Sequence, residues 1–218
     1  MTLAGKHIVV TAGPTHEPID PVRVIANRSS GKQGFAIAAA AAEAGARVTL
    51  VAGPVALQTP AGVDRIDVET ADEMANAVFA ALPADAAILV AAVADWKVEP
   101  SPSKLKKGAG PPQLHFVPTR DILSELGGSD RRPKLLVGFA AETENIVEQA
   151  IAKRKAKRAD WIVANDVSGD VMGGHENRIF LIADETETWE TLPKEEVGRR
   201  LVKRIEKELG KSSRAAIY

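Results

Sequence analysis

Residues 27–34 read N-R-S-S-G-K-Q-G and run into the alanine-rich segment F-A-I-A-A-A-A-A-E-A-G. Small hydroxyl residues, a glycine and a lysine ahead of a helix are the ingredients of an anion site. Ser29, Ser30, Gly31 and Lys32 would turn backbone N–H groups, hydroxyls and one positive charge toward a phosphate at the helix N-terminus. The competing reading is a plain helix cap at Ser29 or Ser30, with Gly34 letting the helix lie close to a sheet. Two familiar phosphate loops are excluded. A Walker loop needs an earlier glycine where Ala26 stands and a hydroxyl residue where Gln33 stands. The dinucleotide fingerprint needs a glycine at the place of Ser29.

Other residues invite the same question. Asn27 could hydrogen-bond a substrate, or simply satisfy its own turn. Asp95 follows an apolar run, where a carboxylate meets a ligand, a metal or a turn N–H. Lys104, Lys106 and Lys107 could close over phosphates from a flexible loop, or be a solvated basic loop. Lys153 and Lys157 share one helix face at i, i+4 spacing, although cations near a helix C-terminus also suit the dipole. The 4 histidines show no metal-ligand spacing, and no G-x-S-x-G elbow occurs. Zinc and serine-hydrolase chemistry are therefore disfavoured.

These residues must be positioned by an alternation of strands and helices. His7–Ala12, Arg47–Ala52, Val63–Val68, Ala86–Val93, Lys134–Phe139 and Asp160–Asn165 read as buried strands. Helices are expected over 33–44, 70–82 and 144–158, with Thr70 as an N-cap and Gly45 as a C-terminal stop. A final strand pair, 178–183 and 187–192, would turn across Asp184-Glu185-Thr186. An amphipathic helix would follow from Lys194 to Leu209. The pattern predicts an α/β fold, doubly wound and Rossmann-like, with a mostly parallel sheet and helices on both faces. Residues 1–210 would form a single nucleotide-binding domain and 211–218 a frayed tail. Proline- and glycine-rich residues 99–112 fit neither a central strand nor a stable helix, and read as a flexible flap.

Composition narrows the class. With 28 Lys+Arg against 29 Asp+Glu, the chain lacks the basic excess of a nucleic-acid-wrapping domain. It has no cysteine, which removes thiolate metal sites and cysteine nucleophiles. It shows no signal-peptide layout and no long apolar span, so a cytoplasmic location is expected, with no membrane partner. In parallel sheets, ligands bind beyond the strands' carboxyl ends. The unusual segments fall there: the long loop after residue 12, Ala94-Asp95-Trp96 with the flap, A-A-E-T-E-N after Phe139, and Asn165 to Gly169.

Six motifs occur in order: T-A-G-P-T-x-E-P-I-D-P-V-R, N-R-S-S-G-K-x-G, A-A-V-A-D-W, K-L-K-K, F-A-A-E-T and A-N-D-V. With them the chain resembles the phosphopantothenate–cysteine ligase (phosphopantothenoylcysteine synthetase) family, in its bacterial form. That form is usually the C-terminal half of a bifunctional coenzyme A biosynthesis protein. The resemblance implies a CTP-dependent ligase joining 4′-phosphopantothenate to L-cysteine through an acyl-cytidylate, with pyrophosphate and CMP released. It implies Mg2+ with the triphosphate, to which Asp95 could contribute, and a homodimer. A flavin-dependent decarboxylase domain accompanies the family's bifunctional proteins but has no counterpart here, so no FMN is expected in this chain.

Carried over by motif, Asn27 would handle the acyl-cytidylate, with Arg23 in the same segment. Lys104 would be the flap lysine that contacts nucleotide and assists conversion of the intermediate. Ala91, Asp95, Arg120, Asp121, Ile122 and Leu123 would form the nucleotide pocket. Phe139 would pack on the cytosine, and Lys153 and Lys157 would meet the nucleotide. Gln33 stands where many bacterial relatives carry methionine. Two other readings on the same fold are a nicotinamide- or flavin-dependent oxidoreductase and a nucleotide-binding module without turnover. The failed glycine fingerprint, and the lack of an acidic residue at Val51-Ala52-Gly53 for a ribose, weigh against the first.

Overall fold

The computed structural model describes residues 2–108, 110, 112–142, 144–166 and 174–215. The first strand, β1 (His7–Ala12), is followed by an antiparallel pair, β2 (His16–Asp20) and β3 (Arg23–Ala26), and then by α1 (Lys32–Glu43). Next come β4 (Arg47–Ala52), β5 (Val63–Asp67), α2 (Ala71–Ala80) and β6 (Ala86–Leu89). A short antiparallel pair, β7 (Trp96–Lys97) with β8 (Val117–Pro118), precedes α3 (Ile122–Gly127). The chain continues through β9 (Leu135–Glu142), α4 (Ile146–Lys157) and β10 (Trp161–Asp166). It closes with β11 (Glu176–Asn177), β12 (Ile179–Ile182), β13 (Thr186–Thr188), β14 (Leu192–Pro193) and α5 (Lys194–Ala215).

The central sheet has 8 strands in the order β13-β12-β10-β9-β6-β1-β4-β5. Strands β10, β9, β6, β1, β4 and β5 run parallel, while β12 and β13 return antiparallel as an edge hairpin. This is the doubly wound, mostly parallel α/β sheet expected from the alternation. One face packs on α1 and α5, through Phe35, Ile37, Val197, Leu201 and Ile205. The other packs on α2, α3 and α4, through Met74, Val78, Leu126 and Ala150. Each such aliphatic side chain taken fully out of water stabilises the fold by about 1.5–3 kcal/mol. The winding reverses between β1 and β6, and α1 and α2 lie on opposite faces, so a crevice opens at the strands' carboxyl ends.

Several boundaries differ from the sequence reading, for local reasons. Strand β6 ends at Leu89, short of Val93, because Thr11 Oγ1 accepts from the N–H groups of Val90 and Ala91, each at 3.1 Å. Those two amides are thereby withdrawn from the sheet ladder. Helix α2 begins after Thr70 in a complete capping box with Glu73, as the sequence suggests. Helix α1 is capped by Gly31 at φ 73°, with no side-chain cap bond. Neither Ser29 nor Ser30 is its N-cap; Ser29 Oγ only accepts from Gly31 N at 3.3 Å. Helix α5 continues through Ala215, past Lys211 where the tail was expected to begin. Residues 99–108 carry no named strand or helix, as the proline-rich composition predicts.

Glycines set how closely the layers approach. A Cβ on Gly34 would lie 2.5 Å from Ala12 Cβ and 3.0 Å from Thr11 O. Alpha-carbon contact of this kind lets α1 start directly over β1. On the far side of α1, a Cβ on Gly198 would sit 2.9 Å from Ala36 O, so α5 packs equally tightly.

Candidate active site

A cleft of about 1030 Å3 lies at the carboxyl ends of β1, β6, β9 and β10. Its floor is backbone held in place by buried hydroxyls. Thr11 fixes Val90 and Ala91, and Thr15 Oγ1 accepts from Ala94 N at 3.0 Å. Two threonines of the T-A-G-P-T motif thus shape the segment that would lie against a ligand. Asn27 Nδ2 donates to Val93 O at 2.9 Å, which anchors the amide over that same segment.

Almost every nominated residue borders this one cleft. Asn27, Ser29, Ser30, Gly31, Lys32, Ala91, Asp95, Ile122, Leu123, Phe139, Lys153 and Lys157 do so, together with Arg120 and Asp121. On the α3/α4 side, Asp121 caps α3 by accepting from Ser124 N and forms an ion pair with Lys157. Burial alone would raise its pKa; the Lys157 bond, the Ser124 N–H and the charge of Lys153 more than offset this and hold it below its usual value. Lysines at i, i+4 therefore serve more than the helix dipole. The guanidinium of Arg120 is occupied by Glu125, 3.0 Å from Nε, and by Asn76 Oδ1 at 2.8 Å. What Arg120 offers the cleft is chiefly its backbone and the charge it shares with Glu125.

Arg23 and the flap lysines Lys104, Lys106 and Lys107 are the nominated residues outside the cleft lining. Arg23 lies on β3, and its Nη2 donates to Leu105 O at 2.6 Å. Asp20 explains this arrangement. Its buried carboxylate accepts from Val22 N and Arg23 N, both at 2.9 Å, and from Leu105 N at 3.1 Å. It also pairs with Arg23 Nε at 3.2 Å. The arm formed by β2 and β3 and the segment carrying Lys104 are tied together there. Burial pushes the Asp20 pKa up, but the three N–H donors and Arg23 bring it below the ordinary value.

Asp95 is exposed at the cleft rim. Among the described residues no group of three His, Cys, Asp or Glu side chains gathers as a metal-ligand set. A site with one carboxylate still suits magnesium, which keeps most of its waters and takes its other oxygens from phosphates. Val167, Ser168 and Gly169, included among the strand-end segments, lie outside the described residues.

Gln33, Asn165, Asn177 and Lys194 also line the cleft and were not named as site residues. Gln33 and Asn177 are buried and bonded to each other, Asn177 Nδ2 to Gln33 Oε1 at 2.8 Å. Gln33 Nε2 in turn donates to Lys194 O at 3.1 Å. Lys194 and Asn165 complete the group. A sequence signal existed for Lys194: a lysine opening a helix opposes the dipole, so local preference does not explain it.

Residues 3–209 match the DNA/pantothenate metabolism flavoprotein C-terminal domain family. The chain belongs to that family. It is 50% identical over 180 residues to coenzyme A biosynthesis bifunctional protein CoaBC of Vibrio parahaemolyticus serotype O3:K6, covering 80% of this chain and 45% of that protein. It is 44% identical over 210 residues to a cysteine/cysteine sulfinic acid decarboxylase of an unknown prokaryotic organism, covering 93% of this chain and 58% of that one. The chain thus spans about half the length of these curated relatives. Among solved structures, the C-terminal domain of CoaBC superposes with a TM-score of 0.83 at 40% identity, over 96% of this chain and 98% of that domain. Five of the six motifs meet at this cleft, while K-L-K-K lies outside its lining. No helix among the described residues is long and apolar enough to cross a membrane.

Proposed function

We propose that this chain is a CTP-dependent phosphopantothenate–cysteine ligase of coenzyme A biosynthesis. The observation that carries this reading is the meeting, at one strand-end cleft, of Asn27 fixed over Val93, the Gly31-capped start of α1, and the Asp121–Lys157 group. The similarity to the CoaBC ligase half supports it.

In the first step a carboxylate oxygen of 4′-phosphopantothenate attacks the α-phosphorus of CTP. The bond to the β-phosphate breaks and pyrophosphate leaves. In the second step the cysteine amine attacks the acyl carbon, loses a proton, and expels CMP as the amide forms. Ile122 and Leu123, with Phe139, offer apolar walls to the base, while Lys153 and Lys157 supply positive charge beside it. The start of α1, where no side chain of the N-cap residue bonds the helix, and the charge of Lys32 favour phosphate oxygens. Asp95 would hold magnesium, which would neutralise charge on the leaving pyrophosphate. Asn27, its NH2 committed to Val93, presents its oxygen toward the reacting group without acting as a nucleophile.

A homodimer is part of this proposal. The β2–β3 arm and the β7–β8 pair leave Val22, Val24, Trp96, Phe116 and Val117 between 43% and 63% exposed, an apolar face suited to a second copy. In a longer protein a flavin-dependent decarboxylase domain would supply the other half of the bifunctional enzyme. The test is to incubate the chain with CTP, Mg2+, 4′-phosphopantothenate and cysteine. Amide product and pyrophosphate in equal amounts support the ligase. Folded protein that yields neither, or that releases CO2 from cysteine instead, sinks it.

A further inference from the structure

Strands β4 and β5 are parallel neighbours, yet residues 53–62 that join them carry neither helix nor strand. Crossovers between parallel strands usually contain a helix, whose own ladder satisfies the backbone. This one must find donors elsewhere, and Arg65 on β5 supplies them. Its Nη1 donates to Leu57 O at 2.7 Å and its Nη2 to Val55 O at 3.3 Å. Nε donates to Asp67 Oδ1 at 2.7 Å, and the guanidinium carbon lies 5.3 Å from the centre of the Phe35 ring on α1. One side chain, 16% exposed, thus joins the crossover, the edge strand and α1.

The crossover bears on the cleft through Val55, which with Leu57 is half-buried against the α1/α5 core. A Cβ on Gly31 would lie 3.2 Å from Val55 Cγ1, and a Cβ on Gly13 would meet the same methyl at 3.2 Å. Gly13 and Gly31 line the cleft, whereas Val55 and Arg65 do not. The Val55 side chain therefore stands behind the two glycines as a back wall. Gly31 is the left-handed cap from which α1 starts, and no side-chain cap bond holds it there. Its placement depends on what packs against it.

We infer that Arg65 is a positioning residue for the anion-holding start of α1, acting through Val55 from outside the cleft. It touches no substrate. Its fork holds two carbonyls of the crossover, which sets the Val55 side chain against Gly13 and Gly31 and keeps the start of α1 aligned with the rest of the cleft. The inference rests on the ligase reading for the use made of that helix start. A lysine ammonium offers neither the planar fork nor the same stacking on Phe35, so Lys is an incomplete substitute. Asp67 is 71% exposed, and its pair with Arg65 contributes little.

The test compares Arg65→Met, Arg65→Lys, Val55→Ala and Asp67→Asn with the wild type, each at a temperature where its unfolding curve shows it fully folded. Calorimetry reads the affinity for CTP and for 4′-phosphopantothenate separately, and the ligase assay reads kcat and KM. Arg65→Met should weaken at least one of these two ligands, and lower kcat/KM, by about 10- to 100-fold, the range for a small displacement of the reacting geometry. Arg65→Lys should recover part of the loss. Val55→Ala keeps every Arg65 bond and should weaken the same ligand, while Asp67→Asn should match the wild type. A merely structural role lowers the unfolding midpoint and leaves the affinities and kinetic constants of the folded protein unchanged. That result in Arg65→Met, or in Val55→Ala should Arg65→Met not fold, overturns the inference. Wild-type protein that releases no pyrophosphate, yet shows these losses of affinity in the variants, supports the Arg65 role and removes the ligase reading. Wild-type protein that binds neither ligand overturns both.

Discussion

Asn27 donates through its NH2 to Val93 O at 2.9 Å and borders the cleft, where the proposal sets it beside the reacting acyl group. Asn27→Asp removes the donor and adds a charge where an acyl-phosphate would lie. The expected outcome is nucleotide affinity close to wild type and amide formation slower by about 10²-fold, read by calorimetry and by product assay. Wild-type turnover in that variant would contradict the role given to Asn27. Lys104→Gln should let acyl-cytidylate accumulate, detected by mass spectrometry after acid quench, because the lysine is assigned to the second step. At this scale the sequence was most informative where chemistry sits in a short contiguous motif, as at Asn27, Ser29 to Lys32, and Lys153 with Lys157. Lys194 and Asn177 were not legible in that way. They reach the cleft because the β11–β14 pair and the start of α5 come back to Gln33 at the start of α1, contacts between segments far apart in the chain.

Two elements position the reacting groups, and each has a residue whose loss should show. Helix α1 reaches the cleft because Gly34 lies against Ala12. Gly34→Ala forces that contact apart and should cost about 1–3 kcal/mol in urea unfolding, with weaker substrate binding as the helix N-terminus shifts. The β2–β3 arm and the flap segment depend on the Asp20 carboxylate and its three N–H donors. Asp20→Asn should speed proteolytic cleavage within residues 99–108; an unchanged digestion rate would show that the arm does not hold the flap. Helices and buried parallel strands were readable from periodicity and β-branched runs. The arm was not, since H-E-P-I-D and R-V-I-A are short, proline-bearing and lie inside what looked like one long loop. The helix cap at Gly31 was not foreseen either; the cap weighed as the competing reading was Ser29 or Ser30, the commoner solution beside a helix.

At the scale of the whole molecule, the doubly wound sheet places β1 and β6 side by side at the reversal of strand order, and the cleft follows from that topology. The strands' other ends are joined by Asp85, which accepts from His7 N at 3.0 Å and pairs with Lys6 and Lys134. Burial raises the Asp85 pKa, but the His7 N–H and the two lysines outweigh it and hold it below the usual carboxylate value. A carboxyl depressed on folding stabilises the fold above its unfolded value and ceases to do so as pH falls through the folded one. Asp85→Asn should therefore lower stability at neutral pH and flatten the acid side of the stability curve below about pH 4, measured by thermal unfolding. The exposed apolar face at Val22 and Phe116 predicts a dimer by light scattering, and Phe116→Glu should shift it toward monomer.

On the proposed function, this cleft activates a carboxylate by joining it to the nucleotide. The most direct test supplies 4′-phosphopantothenate with 18O in its carboxylate, together with CTP and cysteine, and weighs the products. Transfer of one 18O atom to CMP is the predicted result, because the acyl–phosphate bond must break on the carbon side when the amine attacks. Product with unlabelled CMP, or label appearing in inorganic phosphate, would contradict it.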